Sequence, residues 1–362
     1  MRVLYINIES EIRSEILDYS SSIKEEAFFA SGFEESLYFL DRVAIDRVVL
    51  RLMRFQDAAI LKYVNTYFKD IEVIVTTTRE NEEVLEVLAE PFTSVGDTHD
   101  RLARTEQSFR EHDDRRSVFL TVYTRMTAAV RSGIRSGRFA NEEWAREYLV
   151  AFANYYRRAL LAFERRDFEA VPAPWRIGFT ASVRGDTLIA QDALSGINAH
   201  INYDLTYTLD DVGIDPDRDA KRADHDQINE ILKRLVDTVQ DVLVDVYAAV
   251  GVSRIDDLLG RIDEQLAFLG LTRSRQFAWR NAVLLADLPW QPIERYVDWR
   301  ARTVATGIAQ FILAPGTSAV VYDRLRSAEA DHRTIAAFHE AFGERVPEGT
   351  LGNATRLDHI RE

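Results

Sequence analysis

The 362-residue chain contains no cysteine. That absence excludes disulfides, thiolate nucleophiles and Cys-based zinc or iron–sulfur sites. Any metal must therefore be held by His, Asp, Glu or Asn. Lysine is scarce: Lys24, Lys62, Lys69, Lys221 and Lys233 are the whole set. No run of about 18 apolar residues occurs, so no membrane span is expected. The opening MRVLYINIES lacks the long apolar segment and small-residue cleavage site of a signal peptide, and a cytoplasmic location is expected. An excess of basic charge is missing too. The net charge is −14 and the arginines are interleaved with acids, which argues against a nucleic-acid partner. There is no Gly-rich phosphate loop and no serine in a nucleophile elbow.

Apolar residues make up 46% of the chain, enough for real cores, and the length suits two domains. The bias of Arg over Lys with excess acid is a pattern of salt-adapted or GC-rich organisms, or simple codon bias. The first 92 residues alternate strand and helix. RVLYINI, EEAFFA, DRVVLRLM and IEVIVTTT are β-branched or aromatic and nearly continuous in hydrophobicity, as in a parallel sheet covered on both faces. Amphipathic helices are expected between them, over Glu9–Tyr19, Gly32–Leu40, Phe55–Phe68 and Arg79–Leu88. From Pro91 on, the rhythm is helical throughout. AVPAPWRIG, GIDPDRDAKR and APGTS read as loops. The expected layout is α/β plus all-α: a doubly wound parallel sheet over 1–96, an all-helical bundle over 97–345, and a flexible tail over 346–362.

GINAHINYDL, residues 196–205, lies in what reads as one long helix from Thr187 to Leu209. Ala190, Ala193, Leu194, Ile197, Ile201 and Leu205 define its buried stripe. His200 and Asp204, four residues apart, stand on that stripe and face each other. A buried carboxylate needs a cation, a set of donors or a metal. Arg176, Arg280, Asn281 and Asn154 are the candidate partners, and all but Arg176 interrupt apolar helical runs. Asn202, with Asn198, faces another side of the helix. Trp175, Arg176, Asn202, Arg280 and Asn281 are the candidate substrate-binding residues around the pair. Three readings stay open. The pair is a satisfied structural network with Arg176 or Arg280 neutralising Asp204, a small-molecule or substrate site with His200 as a base, or half of a divalent-metal site supporting hydrolysis. Elsewhere, DHDQ at 224–227 reads as a helix-capping box, and EHDDRR at 111–116 reads as a solvated charge run.

The first 90 residues resemble the receiver domain of response regulators, on RVLYINIES, GFEESLYFLDRVAIDRVVLRLM, IEVIVTTT and EPF. The resemblance implies a truncated flavodoxin-like sheet whose phosphoryl chemistry is lost. The phosphoacceptor position falls on Arg51 and the acidic pair on Asn7 and Ile8, with Glu9 the nearest acid. The hydroxyl position is kept as Thr77, and the lysine position falls on Glu90. Arg51 cannot form an acyl phosphate, and magnesium finds too few oxygen ligands; a pair between Arg51 and Glu9 is expected instead. PAPWRIGF, INAHINYDL, HDQIN and FAWRNAVLLA resemble an uncharacterised helical domain family. The combination resembles the halobacterial transducer-like proteins of salt-adapted archaea. What this implies is a regulatory or interaction protein that binds a protein partner, a second copy or a small molecule.

Overall fold

In the computed structural model the described residues are 1–8, 10–52, 57–77, 80–185, 187–249, 270–314, 322, 325–327, 329 and 332–346. The helix expected over Ser253–Leu269 lies outside them, as does the expected tail beyond Val346. The chain divides into two compact units, Met1–Glu83 and Val84–Glu362.

In the first unit β1 (Arg2–Ile6), β2 (Glu26–Ala30), β3 (Arg47–Leu52) and β4 (Glu72–Thr77) form one parallel sheet in the order β2-β1-β3-β4. Helices α1 (Ser10–Ser22), α2 (Phe33–Arg42) and α3 (Asp57–Tyr67) make the crossovers that parallel pairing demands. Val3 and Leu4 are adjacent and both buried, so both faces of β1 are covered, while on β3 Val48 and Leu50 are buried and Val49 between them is half-buried. That is why these strands read as continuous rather than alternating apolar runs. Ile6 pairs with Ala30 on one side and Leu50 on the other, and the chain reverses its direction of travel across the sheet between β1 and β3. Such a switch point is where open α/β sheets bind ligands, at the carboxyl ends of the strands.

After α4 (Glu80–Leu88) the chain is helical among the described residues. Its helices are α5 (Val95–Glu111), α6 (Ser117–Arg135), α7 (Glu142–Glu164), α8 (Ala173–Arg184), α9 (Ile189–Asn198), α10 (Leu205–Asp211), α11 (Arg218–Ala249), α12 (Leu271–Asp287), α13 (Gln291–Leu313) and α14 (His332–Arg345). A π turn, Ala199–Asp204, joins α9 to α10. Every residue of α9 is buried, which marks it as the central helix of the unit. It packs against α6, α8 and α13, while the π turn also meets α7 and α12. On α13 the stripe Val297, Ala301, Ala305, Ala309 and Ile312 is buried. Its alanines let the helix come close enough for Asn198 to donate to the Ala305 carbonyl at 2.8 Å. Among the described residues no helix is long and apolar enough to cross a membrane.

Two expectations need correction. AVPAPWRIG is not a loop: α8 starts at Ala173, with Pro172 as its N-cap and Pro174 in its first turn. Proline is tolerated there because the first N–H groups of a helix have no intrahelical partner. Nor is Thr187–Leu209 a single α-helix, since the π turn interrupts it.

Gly196 explains how α6 and α9 meet. A Cβ at Gly196 would lie 2.8 Å from the Phe119 Cβ and nearer still to its ring. We expect Gly196→Ala to destabilise the helical unit by about 1–3 kcal/mol or more through overpacking. Urea unfolding checks this, and an unchanged midpoint would contradict the close approach.

Candidate functional site

The π turn brings His200 and Asp204 together. A π turn holds one residue more than an α turn and is often found at functional positions; here the Leu205 N–H reaches back to the His200 carbonyl. His200 Nδ1 lies 2.8 Å from Asp204 Oδ2. The Trp175 indole N–H, presented by α8, donates to the same oxygen at 2.8 Å. Asp204 is 1% exposed and His200 2%. Burial pushes the Asp204 carboxyl up, and the bonds from His200 and Trp175 pull it back. Burial also pushes the His200 imidazole down, against the pull of Asp204. The imidazole is thus neutral at neutral pH, and the tautomer that donates from Nδ1 is the one that satisfies Asp204. Its acceptor nitrogen Nε2 is buried without a partner among the described residues.

Aromatic rings fix the imidazole. Phe152 on α7 stacks on it with centroids 3.5 Å apart and planes 9° apart. Tyr123 on α6 meets it edge-on at 4.6 Å. Beside the ring is a cavity of ≈ 30 Å³, lined by Phe119, Ile197, Leu232 and Arg275 among others. That volume suits about one water molecule.

None of the expected partners Arg176, Arg280, Asn281 and Asn154 bonds Asp204; the donor is Trp175, a residue expected only among the substrate-binding set. Arg176 is exposed and donates to the Phe168 carbonyl at 3.2 Å. Arg280 is exposed as well. Asn202 is buried on another face, where its amide donates to Asn198 at 3.0 Å. Asn281 reaches Thr206 at 3.3 Å, and its own carbonyl oxygen has no partner among the described residues. The neutralising arginine expected for Asp204 is therefore replaced by two N–H donors. Among the described residues no group of three or more His, Asp or Glu is placed to hold a metal.

A second buried histidine lies where the sequence suggests a helix cap. α11 begins at Arg218, so DHDQ is inside it. Asp224 instead accepts the backbone N–H groups of Ala140 and Asn141 at 2.8 Å each, just before α7. His225 Nδ1 receives Tyr148 Oη at 3.0 Å and Arg275 Nη2 at 3.1 Å. Burial, then the charges of Arg275 and Arg222, push this imidazole well down. Arg275, buried on α12, carries no signal in the sequence, because one arginine at a core position looks like any other until its helix phase is known.

Only the first half of EHDDRR is a solvated run: Glu111, His112 and Asp113 are exposed, but Arg115 is half-buried and Arg116 buried. Arg115 bonds Asp192 at 2.7 Å and Glu329 at 3.0 Å. Arg116 bonds Asp114 at 2.5 Å and also Glu164. A third histidine, His339 on α14, sits between Ser117 at 3.0 Å and Thr121 at 2.9 Å, and Thr121 donates onward to Glu106. This is the order of a nucleophile, a base and an orienting group. Ser117 is fully buried, however, so no substrate reaches it. Burial and the charge of Arg110 push His339 down to about 3.

At the carboxyl edge of the sheet, Asn7 follows β1 with φ 61° and its amide lies 3.4 Å from the Arg51 carbonyl. Arg51 is half-buried in β3, in register with Thr76 of β4, and Ile8 is half-buried beside Asn7. Glu9 and the Thr77 side chain lie outside the described residues, so the expected Arg51–Glu9 pair does too. Glu90 and Pro91–Phe92 belong to the helical unit. There the Phe92 backbone exchanges two hydrogen bonds with the Asn154 amide on α7.

The buried carboxylate and the three buried imidazoles each carry a stability test. Asp204→Ala leaves the Trp175 and His200 donors buried and unsatisfied, and should destabilise by about 3–5 kcal/mol; Asp204→Asn, which keeps one acceptor oxygen, should cost less. Chemical denaturation of both variants tests the order. His200, His225 and His339 have folded pKa values below the unfolded value of about 6.5. Protonation then favours the unfolded chain, so stability is lost as pH falls below about 6.5, by at most roughly 1.4 kcal/mol per pH unit for each histidine. For His339 that window extends down to about 3. Asp192 and Asp204, both raised, oppose this at lower pH. Unfolding midpoints that stay flat from pH 6.5 to 5 would contradict the burial of these rings.

No curated protein and no solved structure matches the chain. A family model does match, over residues 95–315, more than half of the chain, and it contains the π turn, Trp175, His225 and Arg275. On that match the chain belongs to the Family of unknown function (DUF5995).

Proposed function

We propose that the chain is a regulatory or interaction protein of the cytoplasm. A receiver-like module without phosphoryl chemistry accompanies a helical effector unit, in the manner of the halobacterial transducer-like proteins it resembles. The observation that carries this reading is the carboxyl edge of the parallel sheet. Where a receiver needs an acidic pair and an acceptor aspartate, this edge holds Asn7, Ile8 and Arg51. The strand order β2-β1-β3-β4 is that of a flavodoxin-like sheet short of its fifth strand, which supports the same reading. The Asn7 amide oxygen, without a carboxylate from Ile8 or Arg51, offers too few oxygen ligands for a hard cation. The module then acts through its surface, on a protein partner or a second copy.

A second reading, a small-molecule site at His200, is favoured by the unpartnered Nε2 and its adjoining cavity. Metal-dependent hydrolysis is less well supported, because His200 and Asp204 alone make too small a ligand set. Elemental analysis separates the two: stoichiometric zinc, iron or manganese that is lost in His200→Ala would favour the enzyme.

The receiver-like reading has a gain-of-function test. The wild-type chain should take no label from a small acyl phosphate in the presence of magnesium. The triple variant Asn7→Asp, Ile8→Asp, Arg51→Asp should acquire saturable binding of Mg²⁺, or of Mn²⁺ followed by its paramagnetism. A folded triple variant with no cation binding would remove the receiver-like reading. Labelling of the wild-type chain would remove the claim that its chemistry is lost.

A further inference from the structure

The helical unit has an open pocket of ≈ 630 Å³ that shares no lining residue with the cavity beside His200. It lies between the start of α5, the last turns of α6, the first turns of α7 and the end of α10. That volume is typical of small-molecule sites. In a chain of net charge −14, three arginines line it: Arg131 and Arg135 from α6, and Arg146 from α7. Arg135, exposed, forms no ion pair among the described residues. Arg131 approaches Asp100 only to 3.7 Å, and Arg146 approaches Glu142 at 3.4 Å, both acids being well exposed. Surface pairs of this kind contribute about 0–1 kcal/mol and give way readily to a better anion.

We propose that this pocket binds a phosphate monoester carrying free hydroxyls, of nucleotide or sugar-phosphate size. The guanidinium groups supply charge-assisted donors for a phosphoryl group. The start of α5 adds to them. Ser94 already accepts the Asp97 N–H and the Thr98 N–H, which leaves the N–H groups of Val95 and Gly96 facing the pocket end of the helix. The lining also holds two carboxylates, Glu147, next to Arg146 on α7, and Asp211 at the end of α10. Asp211 is held in place by the Tyr155 hydroxyl at 2.7 Å. Carboxylates accept hydrogen bonds from sugar hydroxyls and repel further negative charge. This mixed lining of three guanidinium groups and two carboxylates therefore favours one phosphoryl group with hydroxyls over a polyphosphate. Val150, Ala151 and Val212 provide apolar surface for the body of the molecule.

The test is calorimetric titration of the full chain with AMP, ribose 5-phosphate and inorganic phosphate, with adenosine and ribose as uncharged controls. One of the two esters should bind saturably and more tightly than inorganic phosphate, and added salt should weaken it. Arg135→Gln and Arg146→Gln should each weaken binding about tenfold, the equivalent of roughly 1.4 kcal/mol. Arg273→Gln, an exposed arginine outside the pocket, should leave it unchanged. Either of two results overturns the proposal: no saturable binding of an ester up to about 10 mM, weaker than any specific site of this size, or an equal loss in Arg273→Gln. Binding of inorganic phosphate as tight as that of both esters removes the organic part of the ligand.

Discussion

A carboxylate taken out of water must be met by donors, and the helical unit is arranged around that need. Asp204 receives the indole of α8 and the imidazole of the π turn on a single oxygen. Those bonds hold Trp175 and His200 at fixed angles, and the rings of Phe152 and Tyr123 then close on the imidazole. The same solution recurs nearby. Asp192 receives Ser182 at 2.7 Å, Thr187 at 2.6 Å and Arg115. Asp224 receives two backbone N–H groups. In each case at least one donor comes from another helix or loop: Trp175 for Asp204, Arg115 for Asp192, and Ala140 with Asn141 for Asp224. Apolar burial contributes most of the driving force, but it is non-directional. Directed bonds of this kind select one packing among the many that would bury the same area.

The α/β half is legible in the sequence because its signals are local. β-branched or aromatic runs six to eight residues long, broken by amphipathic stretches, place each strand near its observed bounds. The helical half is legible as helices and much less so as a site. Pro172 and Pro174 read as breakers, although a first turn tolerates both. The cap expected at Asp224 fails because α11 starts six residues earlier, at Arg218. The π turn leaves no mark on apolar spacing, since His200 and Asp204 face each other at i, i+4 in either geometry. The charged run at 111–116 misleads for a different reason. Its partners are 48, 77 and 214 residues away, at Glu164, Asp192 and Glu329. Periodicity says nothing about contacts at that range. Arg176 and Arg280 stand out by their neighbours in sequence, and helix rotation turns both outward.

Removing charge from the ligand edge of a sheet changes what that edge requires. An acidic pair after β1 would repel itself and call for a cation. Asn7 and Ile8 make no such demand. Asn7 takes up the left-handed backbone, which asparagine tolerates better than most residues, and its amide lies within reach of the Arg51 carbonyl. The ends of β1 and β3 are thereby tied by the protein itself.

The helical unit separates two properties that an enzyme site combines. Around His200 there is a base held by a carboxylate, but the space beside it takes about one water. Around Arg131, Arg135 and Arg146 there is room for a ligand, but no histidine lines the pocket. General acid–base catalysis needs the base within hydrogen-bond reach of the proton it moves. The space beside His200 meets that condition only for a molecule about the size of water, and in the pocket the groups that could move a proton are the carboxylates Glu147 and Asp211. The two places are not independent. α6 carries Phe119 and Tyr123 toward its start and both pocket arginines toward its end, and α7 carries Arg146 and Phe152. A close-packed interior transmits displacement instead of absorbing it. α6 and α7 run from the arginines to the rings around His200, and α6 is in turn held close to α9 by the fit of Gly196 against Phe119.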